Sequence, residues 1–133
     1  MITTKEIHET VFREVLKRLQ AIEAEPYVPI GVSNRHIHLC QEDLEILFGK
    51  GYQLTELKKL KQPGQFAANE TVNLIGRKGR INNVRILGPL RSRTQVEVSG
   101  TDGFRLGVQA PIKESGKTEG TPGIVLELSL IHI

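Results

Sequence analysis

The sequence predicts a mainly β fold, a small β-barrel with short capping helices and one N-terminal amphipathic helix. After residue 70, short apolar segments alternate with Gly and Pro turns, a pattern typical of small barrels. The 13 glycines favour many turns, and the absence of Trp requires a core of Val, Ile and Leu. At 133 residues the chain is long enough for one domain with a substantial core.

The N-terminal segment predicts a long helix. Apolar side chains recur every three or four positions across residues 4–24, which gives the helix one apolar face. Thr3 or Thr4 is the expected N-cap, with Glu6 as its partner in a capping box. The helix ends before Pro26, because a residue that precedes proline avoids helical angles. Two roles stay open for it: packing on its own domain, or acting as a detachable targeting or docking segment.

The following segments predict short strands and one short helix. Residues 27–32 predict a strand that leads into "VSNRHIHLC", and "QEDLEILF" predicts a helix that is stopped by Gly49 or Gly51. Residues 71–90 predict a hairpin that turns near Gly76–Gly79.

Residues after the hairpin also favour strands. "TQVEVSG" alternates, so Gln95, Glu97 and Ser99 share one face and Val96 and Val98 share the other. "VQAPI" and "GTPGIVLELSL" predict two more strands, separated by turns.

Composition excludes several classes of protein. The net charge of +3 weakly suits an anionic partner, but no dense basic run with interleaved aromatics indicates nucleic-acid binding. "GRKGRINNVR" could form a β-ribbon that binds nucleic acid, and a solvated hairpin explains its few basic residues better. The single Cys40 excludes an internal disulfide and a Cys-rich zinc site. No membrane-spanning run or secretory signal is present, so we expect a cytoplasmic protein without a membrane partner.

His36 and His38 are the first candidates for chemistry. Alternate residues of a strand point to one face, so both imidazoles would project side by side. They could hold a metal, orient a phosphate, or be structural, and structural histidines are the commoner explanation of this spacing alone. A catalytic zinc needs a third protein ligand, which Glu97 could supply. Arg91 and Arg93 follow a Gly-Pro turn, where an arginine could clamp phosphate or simply be solvated.

Six sequence blocks in order resemble the phosphate propanoyltransferase family, the short phosphotransacylases linked to propanediol-degrading bacterial microcompartments. The resemblance runs from about Pro29 to Gly123 and rests on "PIGVSNRHIHL", "QEDLEILF", "QPGQFAANETVNLIG", "NVRILGPLRSRTQVEVS", "LGVQAPIKESG" and "GTPGI". It implies a reversible reaction in which acyl-CoA (propanoyl-CoA or acetyl-CoA) and phosphate give acyl phosphate and coenzyme A.

The resemblance also implies roles for individual residues. The family has a dinuclear metal site, most often zinc, and His36, His38 and Glu97 match the protein ligands of one metal. Arg91 matches a catalytic arginine that holds phosphate for direct attack on the thioester. Cys40 is expected to be a substituted helix cap and not a nucleophile. The family positions that contact coenzyme A are occupied here by Ser33, Lys58, Arg85 and Leu87.

The chain departs from the family pattern after "GTPGI". The family is longer, with two barrels and a second histidine motif that binds the other metal. We therefore expect a fragment with one of two zinc sites: a helix and linker at 1–26, the phosphotransacylase barrel region at 27–126, and an atypical, truncated or foreign tail at 127–133. The early strand at 27–32 would then lack most of its partners. A non-catalytic barrel fragment that binds coenzyme A or metal is the alternative to an active enzyme.

Further properties are implied only by the resemblance. Full-length relatives are commonly homodimers, and some are located inside bacterial microcompartments. A helix such as residues 1–24 could direct the chain to the shell, or could be purely structural. The acyl chain and the native metal stay open, since cobalt, nickel or iron also accept imidazole and carboxylate ligands.

Overall fold

A computed structural model describes residues 2–24 and 34–129, with side chains for 2–20 and 34–129. The strand predicted at 27–32, and Ser33, lie outside the described residues. The helices and strands are, in chain order, α1 (Thr4–Ala24), β1 (His36–His38), α2 (Gln41–Phe48), β2 (Glu56–Lys59), β3 (Phe66–Ile75), β4 (Arg80–Gly88), β5 (Gln95–Glu97), α3 (Gly100–Leu106) and β6 (Val125–Leu128).

Helix α1 has the predicted bounds and belongs to a unit of its own, Met1–Val32. Its capping box is confirmed with Thr3 as the N-cap. The Thr3 amide donates to Glu6 Oε2 at 2.8 Å, and the Glu6 amide donates to Thr3 Oγ1 at 3.2 Å. None of the helices within residues 2–24 and 34–129 is long and apolar enough to cross a membrane.

The second unit is built on one mixed sheet, which confirms a mainly β architecture. Its strand order is β2-β3-β4-β1-β5, and β6 also pairs with β3. Strand β1 is parallel to β4, and the other pairs are antiparallel. Strands β2 and β6 pair with different parts of β3, so they share one edge of the sheet.

The predicted small β-barrel differs from what the described strands form. Strand β5 lies at one edge of the sheet and β2 and β6 lie at the other, and no pairing joins these edges within residues 34–129. A barrel requires continuous pairing around its circumference. Strand β5 has only three residues and pairs with β1 alone, so it does not close the sheet.

The predicted hairpin is confirmed as β3 and β4. Val72 pairs with Val84, and the Gly76 amide donates to the Gly79 carbonyl at 2.9 Å in the turn. A Cβ atom on Gly76 would overlap the main-chain oxygen of Leu106, so the turn packs directly on the end of α3. This close approach explains why glycine occupies the turn.

The core consists of two apolar clusters beside the sheet. Aliphatic side chains dominate both, as the absence of Trp predicted. The fully or almost fully buried members are Ile37, Leu39, Leu44, Ala68, Val72 and Ile86 in one cluster, and Leu74, Ile81, Val84 and Leu106 in the other.

The segment between α3 and β6 differs from the prediction. No strand forms at "VQAPI", and residues 108–124 follow an irregular path. Pro111 has no amide hydrogen for a sheet ladder, which disfavours pairing here. Strand β6 is confirmed and continues through Glu127 and Leu128, the first residues of the predicted tail, while 130–133 lie outside the described residues.

An ion pair ties the start of β1 to α3. Arg35 Nε and Nη2 each donate to one carboxylate oxygen of Asp102 at 2.8 Å. Hydrogen bonds from Arg35 lower the pKa of Asp102 below its usual 3.8. Burial raises this pKa, whereas the charge of Arg35 and hydrogen bonds with Ser99 lower it further. Since Arg35 directly precedes His36, this pair helps to place β1.

We expect Asp102→Asn to lower the free energy of unfolding by about 2 kcal/mol near pH 7, a value that allows for the partial exposure of Arg35. The pKa of Asp102 is lower in the folded chain than in the unfolded chain. The ionised carboxylate therefore contributes its full stabilisation at pH values above its unfolded-state pKa, and this contribution is lost as the pH falls through its folded-state pKa. The difference in stability should therefore shrink as the pH falls below about 4 and vanish only below the folded-state pKa of Asp102. Urea unfolding as a function of pH measures this; a pH-independent difference would contradict it. Glu114→Gln, at an exposed carboxylate, is the control.

Candidate metal centre and its surroundings

Strands β4, β1 and β5 place residues in three rows across the sheet. Paired residues on neighbouring strands point to the same face. The rows are Arg85–His36–Glu97, Ile86–Ile37–Val96 and Leu87–His38–Gln95. The middle row faces the apolar core. The other two rows, which contain the histidines, therefore face the opposite side, called the polar face below.

The structure brings together His36, His38 and Glu97 on this polar face. His36 Nε2 lies 3.1 Å from Glu97 Oε2, and His38 Nε2 lies 3.7 Å from Glu97 Oε1. One ligand atom from each residue lies within 4.8 Å of the others. Tetrahedral zinc with bonds near 2 Å places its ligand atoms about 3.3 Å apart, so the two distances to Glu97 suit such an ion, and the widest separation would shorten when the ion binds.

Main-chain contacts orient the ring of His36. Its Nδ1 lies 2.7 Å from the carbonyl oxygen of Asn34, which can only accept a hydrogen bond, so Nδ1 carries the proton. Nε2 is then the nitrogen that faces Glu97 and is positioned for a metal. Metal-binding histidines commonly have this kind of partner on the other ring nitrogen.

The environment of His38 favours its neutral form. Burial lowers the pKa of His38 to about 4, the positive charges of Arg91 and His36 add to the shift, and Glu97 opposes it. The ring is therefore uncharged near pH 7, and the neutral imidazole is the form that binds metals.

Arg91 lines the same cavity as His38. The cavity has a volume of about 260 Å³, and its other lining residues are Pro63, Gly64, Gln65, Gly88 and Pro89. The Arg91 amide donates to the Leu39 carbonyl at 2.9 Å, and Arg91 Nη1 donates to Ser115 Oγ at 2.9 Å. A guanidinium and a candidate metal ligand thus border one space that can hold a small anion.

Three of the residues matched to coenzyme A contacts share this face. Lys58 pairs with Ala67, Ala67 with Leu87, and Leu87 with His38, which makes a continuous row across four strands. Three strand spacings separate Lys58 from His38 by roughly 14 Å. Arg85 lies in the neighbouring row, and its Nη1 donates to the carbonyl oxygens of Ala68 and Asn69. The fourth residue, Ser33, lies outside the described residues.

Cys40 occupies the N-cap of α2, as predicted. Its side chain makes no capping hydrogen bond. The Cys40 amide donates to Thr94 Oγ1 at 3.0 Å, and Thr94 Oγ1 lies 3.3 Å from the sulfur. Thr94 therefore satisfies the amide of Cys40 itself, not the amides of the first helical turn that a capping side chain would bind.

Three residues that contact the site were not predicted from the sequence: Asn34, Gln95 and Ser115. Gln95 Nε2 donates to Glu97 Oε1 at 2.6 Å, and Ser115 Oγ donates to the same oxygen at 3.2 Å. The strand alternation already placed Gln95 on the face of Glu97, so a signal existed for it. No local pattern could indicate Ser115, which lies in the irregular segment 108–124.

The fold and the site together define a mixed-sheet protein with a candidate metal centre beside an arginine-lined cavity. A family model described as phosphate propanoyltransferase matches residues 29–130. The chain therefore belongs to the phosphate propanoyltransferase family.

Similar curated proteins carry the same name. Phosphate propanoyltransferase of Thermotoga maritima is 57% identical over 120 residues, which cover 90% of this chain and 57% of the relative. The proteins of that name from Leptotrichia buccalis and Salmonella typhimurium are 52% and 51% identical, covering 89% and 92% of this chain and 56% of each relative. The chain thus spans a little over half the length of these relatives.

Proposed function

We propose that residues 34–129 form part of the active site of a phosphate acyltransferase that interconverts acyl-CoA and phosphate with acyl phosphate and coenzyme A. Propanoyl-CoA is the first candidate substrate, given the relatives' names, and acetyl-CoA is the second. The observation that carries the proposal is the convergence of His36, His38 and Glu97 on one sheet face, with Arg91 and His38 lining one cavity.

His36, His38 and Glu97 would hold a metal ion, for which we propose zinc. Two imidazoles and one carboxylate suit this ion and leave one coordination position open. When bound, zinc would supply Lewis acidity toward the thioester carbonyl and stabilise the thiolate of coenzyme A. The orienting bond to His36 and the neutral state of His38 support this assignment.

Arg91 would bind phosphate and hold it beside the thioester. Its planar guanidinium can donate two parallel hydrogen bonds to phosphate oxygens, and its charge offsets the charge of the nucleophile. Placing the two reactants together in the cavity removes much of the entropic cost of their encounter. Cys40 is not among the residues that line this cavity, so we propose direct attack by phosphate, without an acyl-enzyme.

Lys58, Arg85 and Leu87 would contact coenzyme A, together with Ser33. The exposed Lys58 lies far enough from His38 to meet an anionic part of the cofactor while the thiol reaches the metal. Leu87 lies between them in the same row, where it could contact an apolar part of the extended arm.

The remaining assignments are based on the resemblance. We propose that the second metal site of the family lies in sequence beyond this chain, that the complete protein forms a homodimer, and that residues 1–24 direct it to a microcompartment shell. A chain that binds coenzyme A or metal without turnover is the second candidate function, favoured by the single group of three possible metal ligands found among the described residues.

Coenzyme A and desulfo-coenzyme A test the proposal when each is titrated into the zinc-loaded chain. We expect tighter binding of the thiol form, because only its sulfur can reach the metal. Lys58→Ala should weaken binding, while Lys59→Ala should not, since adjacent strand residues point to opposite faces. Equal binding of both cofactor forms would contradict the metal contact. Acyl phosphate formation from propanoyl-CoA then separates the enzyme from the non-catalytic alternative.

A further inference from the structure

The loop formed by residues 108–124 contacts the candidate centre through Ser115. This hydroxyl lies between Arg91, the proposed phosphate ligand, and Glu97, a proposed metal ligand. It accepts from Arg91 Nη1 at 2.9 Å and from Gln95 Nε2 at 3.1 Å, and it donates to Glu97 Oε1 at 3.2 Å. A serine hydroxyl has one donor and two acceptor sites, so these three contacts use its full capacity.

Gln95 is held in one orientation by the same loop. The Gly116 amide donates to Gln95 Oε1 at 2.7 Å, which directs the side-chain NH₂ group toward Glu97. Gln95 Nε2 then donates to Glu97 Oε1 at 2.6 Å. The loop therefore acts on Glu97 through two routes, the Ser115 hydroxyl and the Gln95 amide.

These contacts leave the two oxygens of Glu97 in different surroundings. Oε1 accepts from Gln95 and Ser115 and lies 3.7 Å from His38 Nε2, whereas Oε2 accepts from neither of these residues and lies 3.1 Å from His36 Nε2. A carboxylate held in this way offers one oxygen to a metal while the other is occupied. Such fixed orientation lowers the cost of ordering the ligand when the ion binds.

We propose that Ser115 and Gln95 are positioning residues that couple the phosphate-binding arginine to the metal site. They hold Glu97 with Oε2 directed toward the ion, and Ser115 at the same time holds Arg91 at the cavity. This inference rests on the proposed function. It adds that the loop 108–124 orients both Glu97, the proposed metal ligand, and Arg91, the proposed phosphate ligand. Loss of the Ser115 hydroxyl should therefore weaken metal binding and phosphate binding together.

Cobalt(II) titration of the chain, followed by visible absorption, tests the inference without requiring turnover. We expect Ser115→Ala to weaken Co²⁺ binding on the order of 10-fold, the usual scale for a lost orienting contact. Ser115→Thr keeps the hydroxyl and should restore affinity. Gln95→Leu removes the amide donor to Glu97 without adding a charge, and it should also weaken Co²⁺ binding. Phosphate binding to the loaded chain should also weaken in Ser115→Ala.

Lys117→Ala is the control from the same loop. Lys117 pairs with Glu114 on the exposed surface, so its removal should leave Co²⁺ affinity unchanged. Wild-type Co²⁺ affinity and spectrum in Ser115→Ala would overturn the inference while leaving the proposed function in place. Failure of the wild-type chain to bind Co²⁺ through His36 and His38 would overturn both.

Discussion

Saturating zinc is expected to raise the unfolding temperature of the chain by roughly 10–20 °C. A ligand present at 100 times its dissociation constant stabilises the folded state by about 2.7 kcal/mol. For a unit of the size of Ser33–Ile133, each kcal/mol corresponds to a shift of roughly 4–8 °C. The stabilisation arises because the ligands on β1 and β5 are assembled only in the folded sheet.

Glu97→Gln is expected to abolish this zinc-dependent gain while the metal-free fold persists. The amide of glutamine can keep the acceptor that Gln95 and Ser115 contact, but it replaces the charged oxygen that faces His36. The double variant His36→Ala, His38→Ala should lose the gain as well. Differential scanning fluorimetry with and without zinc, combined with metal analysis, measures both effects.

His8→Ala is the matched control, because His8 lies on α1, in the other unit of the chain. This variant should keep the full zinc response and bind about one metal ion per chain. Only Glu97→Gln and the double variant His36→Ala, His38→Ala should lose this ion. A zinc gain in Glu97→Gln equal to that of the wild type would show that the ion is bound elsewhere.

The features predicted correctly from sequence depend on residues that are close along the chain. The Thr3–Glu6 capping box, the β3–β4 hairpin and the alternation of β5 each follow from local spacing and turn chemistry. The same reasoning placed His36 and His38 on one face, because strand periodicity fixes the direction of alternate side chains.

The features that could not be predicted depend on pairing between distant segments. Periodicity gives the buried face of a strand but not its neighbours, so the parallel pairing of β1 with β4 had no local signal. The Arg35–Asp102 pair joins residues that are 67 positions apart, and Ser115 reaches Glu97 from an irregular loop. The assignment of Glu97 as a metal ligand came from the family resemblance, and the pairing of β1 with β5 supplied the geometry.

Arg91→Ala is expected to weaken phosphate binding to the zinc-loaded chain by about 10–100-fold. This loss is on the scale of one hydrogen bond to a charged group, about 1.5–3 kcal/mol, because solvent replaces part of the contact that the guanidinium makes in the cavity beside His38. Arg91→Lys should recover part of the loss, because it restores the charge but not the planar pair of donors. Phosphorus NMR titration measures binding directly, and any acyl phosphate formation should fall in the same order.

Arg93→Ala separates a specific contact from a general effect of positive charge. Arg93 lies two residues from Arg91, but its guanidinium pairs with Glu119 on the exposed surface and does not line the cavity. Both variants lower the net charge equally, so a purely electrostatic effect would weaken phosphate binding to a similar extent in each. We expect only Arg91→Ala to lose phosphate, with coenzyme A affinity retained. Equal losses in both variants would exclude Arg91 as the phosphate ligand, and the arginine would then be a solvated neighbour of the metal site.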